Sequence, residues 1–247
     1  MIRTILVLLL VVVLLLLSLV LFVVEKIVGL FSRQAKEYST LRIIQACMWL
    51  ILWVSGAKVR IYGKENLPPK DEAVMYVMNH RSFYDALLGY ILFPAPTGFI
   101  AKKELEKVPI VGFWFKELHG LFLDRKDIRQ GMTVILNAIE NVKNGLSMCV
   151  CPEGTRSKDE DETQLLPFHE GSFKIATKSG CRIVPIAITH ASRLLEDHFP
   201  KIKGTDITIT VGTPIDPKTL SREESKFLGR TTRAQIVQML EEAHKKA

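Results

Sequence analysis

The chain has few cysteines and none of the short motifs that mark common metal or serine hydrolase sites. Four cysteines occur among 247 residues, and no pair has the CxxC spacing of a structural zinc site. HExxH and GxSxG motifs are also absent, which argues against a zinc peptidase and a serine esterase. We expect reduced thiols, with Cys149 and Cys151 alternating onto one face of a buried strand.

Internal repeats and low-complexity segments are missing too, and charge of one sign is only in modest excess. Lys and Arg total 33 against 26 Asp and Glu, a formal net charge of +7. This balance favours anionic surfaces, either phospholipid headgroups or nucleic acid, and does not choose between them. The length suits one α/β domain with an N-terminal appendage.

Polar side chains are almost absent from residues 5–24, where Ser18 is the one exception. As a helix this stretch would be about 30 Å long, which matches the hydrocarbon core of a bilayer. A cleaved signal peptide is the alternative, but its apolar region is usually about 7 to 15 residues long and ends at small residues. Residues 25–28 (EKIV) offer no such cleavage site. The sequence therefore predicts a retained membrane anchor.

A second apolar stretch, residues 43–57, contains Trp49 and Trp53 at helical spacing but is short for a membrane span. It either lies in the membrane interface or packs beneath the soluble domain. Basic residues lie between the two stretches, among them Arg33, Lys36 and Arg42. A hairpin with a basic turn would suit anionic headgroups. Because these residues outnumber Arg3 before the first stretch, we expect the remaining chain on the cytoplasmic side.

After residue 57, short apolar runs alternate with longer helical patterns, which is typical of an α/β domain with a largely parallel sheet flanked by helices. We therefore predict a membrane anchor over residues 1–57 and a single α/β domain over residues 58–247. The predicted strands are 59–62, 74–78, 98–101, 121–123, 148–151, 183–188 and 207–211. The predicted helices begin after Asp85, span 128–143 behind Asp127 as N-cap, span 172–178 before Gly180, and begin at Arg233.

A histidine follows the predicted strand 74–78 directly, in the segment NHRSFYD at residues 79–85. Open α/β sheets bind ligands at the carboxyl ends of their strands. If the turn enters a helix at Ser82, Asp85 accepts a hydrogen bond from one imidazole nitrogen of His80 and leaves the other free to act as a base. A His and an Asp at this spacing are also common by chance, so the pair alone does not establish catalysis.

Another loop, CPEGTRS at residues 151–157, follows the predicted strand 148–151. Gly154 permits unusual backbone angles and Arg156 offers a planar set of donors, a combination that suits a phosphate. The alternative is a plain turn in which Arg156 pairs with the acids at 159–162, and spacing does not decide between them. Arg125 follows strand 121–123, so three strand ends present one base and two cations.

Together these segments resemble the glycerophospholipid acyltransferases, and most closely the lysophosphatidic acid acyltransferases among them. Four blocks match in order and spacing across roughly residues 58–215. They are Asn79-His80 with Asp85, similar to the family's His-x4-Asp block; residues 123–125; residues 153–157; and Val184-Pro185-Ile186. A chance match would have to repeat both the His-Asp spacing and the Glu-Gly-Thr-Arg run in this order.

The resemblance implies that His80 is the general base and Asp85 its orienting partner. It also implies a site for the acceptor phosphate, formed by Arg125, Glu153, Gly154, Thr155 and Arg156. One position departs from the family: His119 stands where a glycine usually precedes the second-block arginine, and Gly120 follows it. We expect the acidic run 159–162 to be a solvated loop turned away from the substrate.

The reaction implied is transfer of a fatty acyl group from acyl-CoA or acyl-carrier protein to the sn-2 hydroxyl of lysophosphatidic acid, giving phosphatidic acid in phospholipid biosynthesis. No metal, cofactor or nucleic acid is implied. Alternatives are glycerol-3-phosphate or another lysophospholipid as acceptor, and thioester hydrolysis by water. A non-catalytic membrane or nucleic-acid binding module would suit the basic charge but has no need of a His-Asp pair. Ser82 is expected to cap a helix rather than act as a nucleophile.

Overall fold

A computed structural model describes residues 1–221 and 223–245 and contains one seven-stranded sheet. All seven strands lie where short apolar runs predict them. They are β1 (Ala57–Tyr62), β2 (Met75–Met78), β3 (Thr97–Lys102), β4 (Leu121–Leu123), β5 (Ser147–Val150), β6 (Ile183–Thr189) and β7 (Thr205–Val211). The predicted α/β class is confirmed.

The strand order β1-β7-β6-β2-β5-β3-β4 determines which loops meet. Strands β6, β2, β5, β3 and β4 are parallel to one another, whereas β7 is antiparallel to β6 and parallel to β1. The carboxyl ends of β2, β4, β5 and β6 therefore lie along one edge of the sheet. This edge carries the residues that follow those strands, including His80, Arg125 and Glu153.

Helices cover both faces of the sheet. They are α1 (Ile2–Phe31), α2 (Arg33–Ser55), α3 (Asp85–Tyr90), α4 (Val111–Glu117), α5 (Ile128–Lys143), α6 (Lys174–Ser179) and α7 (Leu228–Lys245). One core includes α2 and α3 beneath alternate residues of β2 and β6, such as Tyr76 and Ile186. The other includes α5, α6 and α7 beneath the intervening residues, such as Val77 and Ile183.

Helix bounds agree with the sequence where a local cap is present. Asp127 caps α5 as predicted, since its carboxylate accepts hydrogen bonds from the amides of Arg129 (2.9 Å) and Gln130 (3.0 Å). Helix α6 ends before Gly180, whose φ of 76° is the left-handed conformation that glycine adopts readily. The start of α6 differs, because residues Glu170–Phe173 form a 3₁₀ turn before it. Helix α4 was not predicted.

The predicted start of α7 at Arg233 was wrong, because the helix begins at Leu228. Leu228 is fully buried in the core. The Glu170 carboxylate accepts hydrogen bonds from the amides of Gly229 (2.9 Å) and Arg230 (3.1 Å). An acid distant in sequence thus satisfies the first turn of α7.

The first two helices form a hairpin with only Ser32 between them, where the Ser32 Oγ accepts a hydrogen bond from the amide of Ala35 at 3.1 Å. Both helices are long and apolar enough to cross a membrane by length and composition. Helix α1 leaves most of its apolar side chains exposed, and its buried residues are Val7 and Glu25. One side of α1 packs against α2, and its outward apolar side is exposed along most of its length.

Helix α2 is longer than the apolar stretch 43–57, for which the sequence left open an interfacial position or packing beneath the domain. It begins at Arg33, so the three basic residues of the expected turn lie on the helix itself. Leu41, Ile44 and Leu52 are buried in the core, whereas Trp49 and Trp53 are exposed. The helix thus packs one side against the domain and turns its tryptophans outward.

Polar contacts join the hairpin to the domain. The side-chain amide of Gln45 donates to the carbonyl oxygens of Tyr90 and Phe93, both at 2.9 Å. Lys36 forms an ion pair with Glu117 of α4. Because α2 contributes to the core and to these contacts, it belongs structurally to the α/β unit, and the boundary after residue 57 stays a prediction about sequence organisation.

The packing of α2 predicts unequal effects for two leucines on the same helix. We expect Leu52→Ala to lower the free energy of unfolding by about 2 to 5 kcal/mol, because it leaves a cavity in the core. Leu50→Ala is the matched control, since Leu50 is 39% exposed and Leu52 only 1%. Thermal unfolding in detergent micelles measures both variants, and equal losses would contradict the packing of α2 described above.

Candidate active site

His80 and Asp85 meet at the carboxyl end of β2. His80 Nδ1 lies 2.8 Å from Asp85 Oδ2, the contact expected from the sequence. The same oxygen accepts hydrogen bonds from the amides of Arg81 (2.7 Å) and Ser82 (2.8 Å), and Asp85 is buried. An Nδ1–H that donates to this carboxylate leaves the Nε2 lone pair of His80 available to accept a proton.

Asn79 fixes the strand end from which His80 extends. Its side-chain amide donates to the Ile188 carbonyl at 2.9 Å, and its Oδ1 accepts from the Ile188 amide at 2.8 Å. The side chain is buried and continues the pairing of β2 with β6 where the strand ladder stops. Asn79 therefore positions the backbone immediately before the histidine.

Glu153 joins the two strand-end loops. Its Oε1 accepts from the His80 amide at 2.7 Å and its Oε2 accepts from the Leu166 amide at 2.9 Å. The Ser157 amide donates to the His80 carbonyl at 2.8 Å, which closes the contact from the other side. Burial raises the pKa of the Glu153 carboxyl. Both carboxylate oxygens accept hydrogen bonds from backbone amides. Glu153 therefore stabilises the loops of the site rather than binding an anion itself.

The next residues in this loop have different environments. Gly154 has a φ of 70°, and a Cβ there would lie 3.0 Å from the Nε2 of His169. Thr155 is exposed. Arg156 lies with its guanidinium 3.7 Å from the centre of the Phe83 ring, and its Nη1 donates to Glu196 Oε1 at 3.1 Å. The partner of Arg156 is thus Glu196, and not the acids at 159–162 that the alternative interpretation required.

The acidic run 159–162 divides into two environments. Asp159, Glu160 and Asp161 are exposed, as expected for a solvated loop. Glu162 is buried, and its carboxylate accepts a hydrogen bond from the His190 amide at 3.0 Å. The expectation of a fully solvated run was therefore wrong for Glu162.

Arg125 follows β4 as predicted and is exposed. Among the described residues it has no hydrogen bond or ion pair within the protein. His119 stands where the family usually has glycine before this arginine, and the fold accommodates it. His119 has a φ of 58°, and its Nε2 lies 3.1 Å from Glu37 of α2. A Cβ at Gly120 would lie 2.1 Å from the Phe115 ring, so glycine is needed at that position.

A cavity of about 1720 Å³ connects these groups to the hairpin. His80, Arg125 and Arg156 line its polar end. Its apolar walls include residues of three helices: Leu14 and Leu15 of α1, Ile44 and Met48 of α2, and Met132 and Leu136 of α5. This cavity combines a base and two cations with large apolar walls. Such a lining suits an amphiphile that carries an anionic group.

Comparison with known proteins decides the family. The sequence model of the acyltransferase family matches residues 58–189. The chain belongs to this acyltransferase family. A 1-acyl-sn-glycerol-3-phosphate acyltransferase of Borreliella burgdorferi is 31% identical over 199 residues, covering 81% of this chain and 78% of the relative. The enzyme of that name from Saccharomyces cerevisiae is 31% identical over 208 residues, covering 83% and 66% respectively.

A solved structure is similar over almost the whole length. The crystal structure of PlsC from Thermotoga maritima, described as a 1-acyl-sn-glycerophosphate (LPA) acyltransferase, has a TM-score of 0.78 and 29% sequence identity. The match covers 98% of each chain. The structural match therefore includes the N-terminal hairpin of this chain.

Sequence reasoning missed Glu196 in this acyltransferase. Glu196 Oε1 accepts from the Phe83 amide at 2.7 Å as well as from Arg156, and Oε2 accepts from Ser82 Oγ at 2.8 Å. Ser82 Oγ also accepts from the Tyr84 amide at 3.1 Å, so it holds the turn before α3 and is engaged away from His80. No local motif marks Glu196, which is 40 residues from Arg156.

The cysteines have the core role expected of them. Cys149 is buried in β5, and Cys151 follows this strand. Burial raises the pKa of both thiols well above its ordinary value. Because the thiolate is the nucleophilic form, neither cysteine is suited to form an acyl-enzyme at neutral pH.

The contact between His80 and Asp85 predicts a large effect for Asp85→Asn. The amide oxygen can still accept from the amides of Arg81 and Ser82, but it no longer stabilises a positive imidazolium. We expect kcat for acyl transfer to fall by about 100-fold to 10,000-fold with the fold intact. Steady-state kinetics and thermal unfolding measure this, with the exposed Asp71→Asn as control. Wild-type kcat in the Asp85 variant would contradict the pairing.

Proposed function

We propose that this acyltransferase transfers a fatty acyl group from acyl-CoA or acyl-carrier protein to the sn-2 hydroxyl of lysophosphatidic acid, which gives phosphatidic acid in phospholipid biosynthesis. The observation that carries the proposal is that His80, Arg125 and Arg156 line one cavity whose other walls are apolar. The names of the relatives from Borreliella burgdorferi and Saccharomyces cerevisiae support the same acceptor. The reaction needs no cofactor besides the thioester substrate.

In the proposed reaction, His80 Nε2 removes the proton of the acceptor hydroxyl while the hydroxyl oxygen attacks the thioester carbonyl. A free alcohol has a pKa far above that of imidazole, so proton transfer accompanies attack; such general-base assistance contributes about 100-fold to 10,000-fold. The tetrahedral intermediate collapses, the carbon–sulfur bond breaks, and the imidazolium returns the proton to the leaving thiolate. Asp85 stabilises the imidazolium through Nδ1.

Two arginines are proposed to bind the acceptor phosphate. Arg125 faces the cavity without a protein partner among the described residues, and Arg156 is held by Glu196 and Phe83. A phosphate offers Arg156 stronger, charge-assisted hydrogen bonds. Gly154 and Thr155 form the loop before Arg156, and Glu153 supports that loop from beneath.

The hairpin is proposed to hold the enzyme at the membrane where the acceptor resides. Exposed apolar side chains of α1, such as Leu16 and Val20, then contact lipid, and Trp49 and Trp53 of α2 lie at the interface. The cavity walls on α1 and α2 give a lipid acceptor a path to His80. The basic residues of α2 support the proposal that the catalytic domain lies on the cytoplasmic side.

An acceptor panel tests the proposed reaction. Thiol release from palmitoyl-CoA is measured in detergent micelles with lysophosphatidic acid, with glycerol-3-phosphate, and with no acceptor. We expect rapid release only with lysophosphatidic acid. Equal release without an acceptor would indicate a hydrolase, and faster release with glycerol-3-phosphate would overturn the acceptor assignment.

The same assay, run with Arg156→Ala, tests the phosphate site. We expect the Michaelis constant for lysophosphatidic acid to rise about 10-fold to 100-fold, the cost of losing charge-assisted hydrogen bonds. The constant for palmitoyl-CoA should stay close to that of the wild type. Arg193→Ala is the control, since Arg193 is exposed and lies outside the cavity lining. A rise only in the constant for palmitoyl-CoA would assign Arg156 to the phosphates of CoA.

A further inference from the structure

Three potential metal ligands from separate parts of the chain converge on one point. Glu162 lies in the loop after β5, His190 directly follows β6, and His244 is on α7. Glu162 Oε2 is 3.1 Å from His244 Nε2 and 3.9 Å from His190 Nε2. One ligand atom of each residue lies within 4.8 Å of the others. None of the three lines the cavity that contains His80.

The two oxygens of Glu162 have different neighbours. Oε1 is 3.8 Å from Arg81 Nε, whereas Oε2 is the oxygen near both imidazoles. The His190 amide donates to both oxygens at 3.0 Å and so fixes the carboxylate plane. The positive charge of Arg81 thus lies near one oxygen of the buried carboxylate. The other oxygen faces the nitrogens of two imidazole rings. Such fixed orientation of a ligand by outer hydrogen bonds is typical of metal sites.

The three side chains and the distances between them suit a divalent metal ion that binds both nitrogen and oxygen ligands. One carboxylate and two imidazoles form a common ligand set for zinc, with ligand distances of about 2.0 to 2.2 Å. Two ligands at tetrahedral positions around such an ion are about 3.4 Å apart, which follows from those bond lengths. The observed separations of 3.1 and 3.9 Å lie on either side of this value. The two separations from Glu162 are therefore compatible with ligands of one tetrahedral ion.

We propose that Glu162, His190 and His244 bind one divalent transition-metal ion, for which zinc is the best match. The side chain of His244 is 34% exposed, so solvent reaches the site and water can fill the fourth position. The bound ion would connect the loop after the Glu153–Ser157 segment, the end of β6 and the last described helix. The proposed metal site is separate from the proposed acyl-transfer reaction, because none of its ligands lines the cavity that contains His80.

Metal binding is measured on the full-length protein, without a polyhistidine tag, in detergent micelles after chelator treatment. Zinc sulfate is titrated by calorimetry, and unfolding is followed by tryptophan fluorescence. We expect one zinc ion per chain and a rise in melting temperature of about 5 to 10 °C at a hundredfold excess over the dissociation constant. Cobalt(II) should give the visible absorption of a tetrahedral site. No stoichiometric binding would overturn the proposal.

Matched variants separate this site from adventitious binding. We expect His244→Ala and Glu162→Gln to weaken zinc affinity at least about tenfold and to remove most of the thermal shift, because each removes one of three ligands. His198→Ala is the control, since His198 lies outside the cluster. His244 is partly exposed, so its variant tests the site even if the variant of buried Glu162 does not fold. Equal zinc affinity in the His244 and His198 variants would contradict the site.

Discussion

The carboxylate of Glu153 holds together the two loops on which the active site depends. One oxygen accepts the amide of His80 and the other accepts the amide of Leu166, while the Ser157 amide donates to the His80 carbonyl. These hydrogen bonds hold the loops after β2 and β5 together as one unit. The imidazole orientation set by Asp85 and the position of Arg156 are therefore linked. Acyl transfer requires the base and the bound acceptor to keep a fixed separation, and rigid support of both loops supplies it.

The helical hairpin is the second constraint, because α2 packs into the core while α1 lies at the surface. Leu41 and Leu52 bury α2 against the sheet, whereas α1 leaves its apolar surface exposed. The cavity runs between His80 and residues of these helices such as Leu14 and Met48. Under the proposed function, the helices that hold the enzyme to a membrane also form the walls along which a lipid reaches the base.

The sequence was most informative where the deciding residues are neighbours along the chain. Short apolar runs predicted all seven strands, Asp127 predicted the start of α5, and the spacing of His80 and Asp85 predicted their contact. It was uninformative where the partner is distant. The start of α7 depends on Glu170, 59 residues before Gly229, and Ser82 bonds to Glu196 across 114 residues. Burial of Glu162 and the packing of α2 likewise require the folded sheet, which brings those partners together.

In the proposed mechanism His80, oriented by Asp85, is the base in acyl transfer. The most direct measurement is kcat for palmitoyl transfer to lysophosphatidic acid by His80→Ala, with circular dichroism and thermal unfolding to establish that the variant is folded. His80 lies in a strand-end loop rather than in the core, so the fold should survive. We expect kcat to fall by about 100-fold to 10,000-fold, the usual contribution of a general base. A folded His80→Ala protein with kcat close to that of the wild type would contradict it.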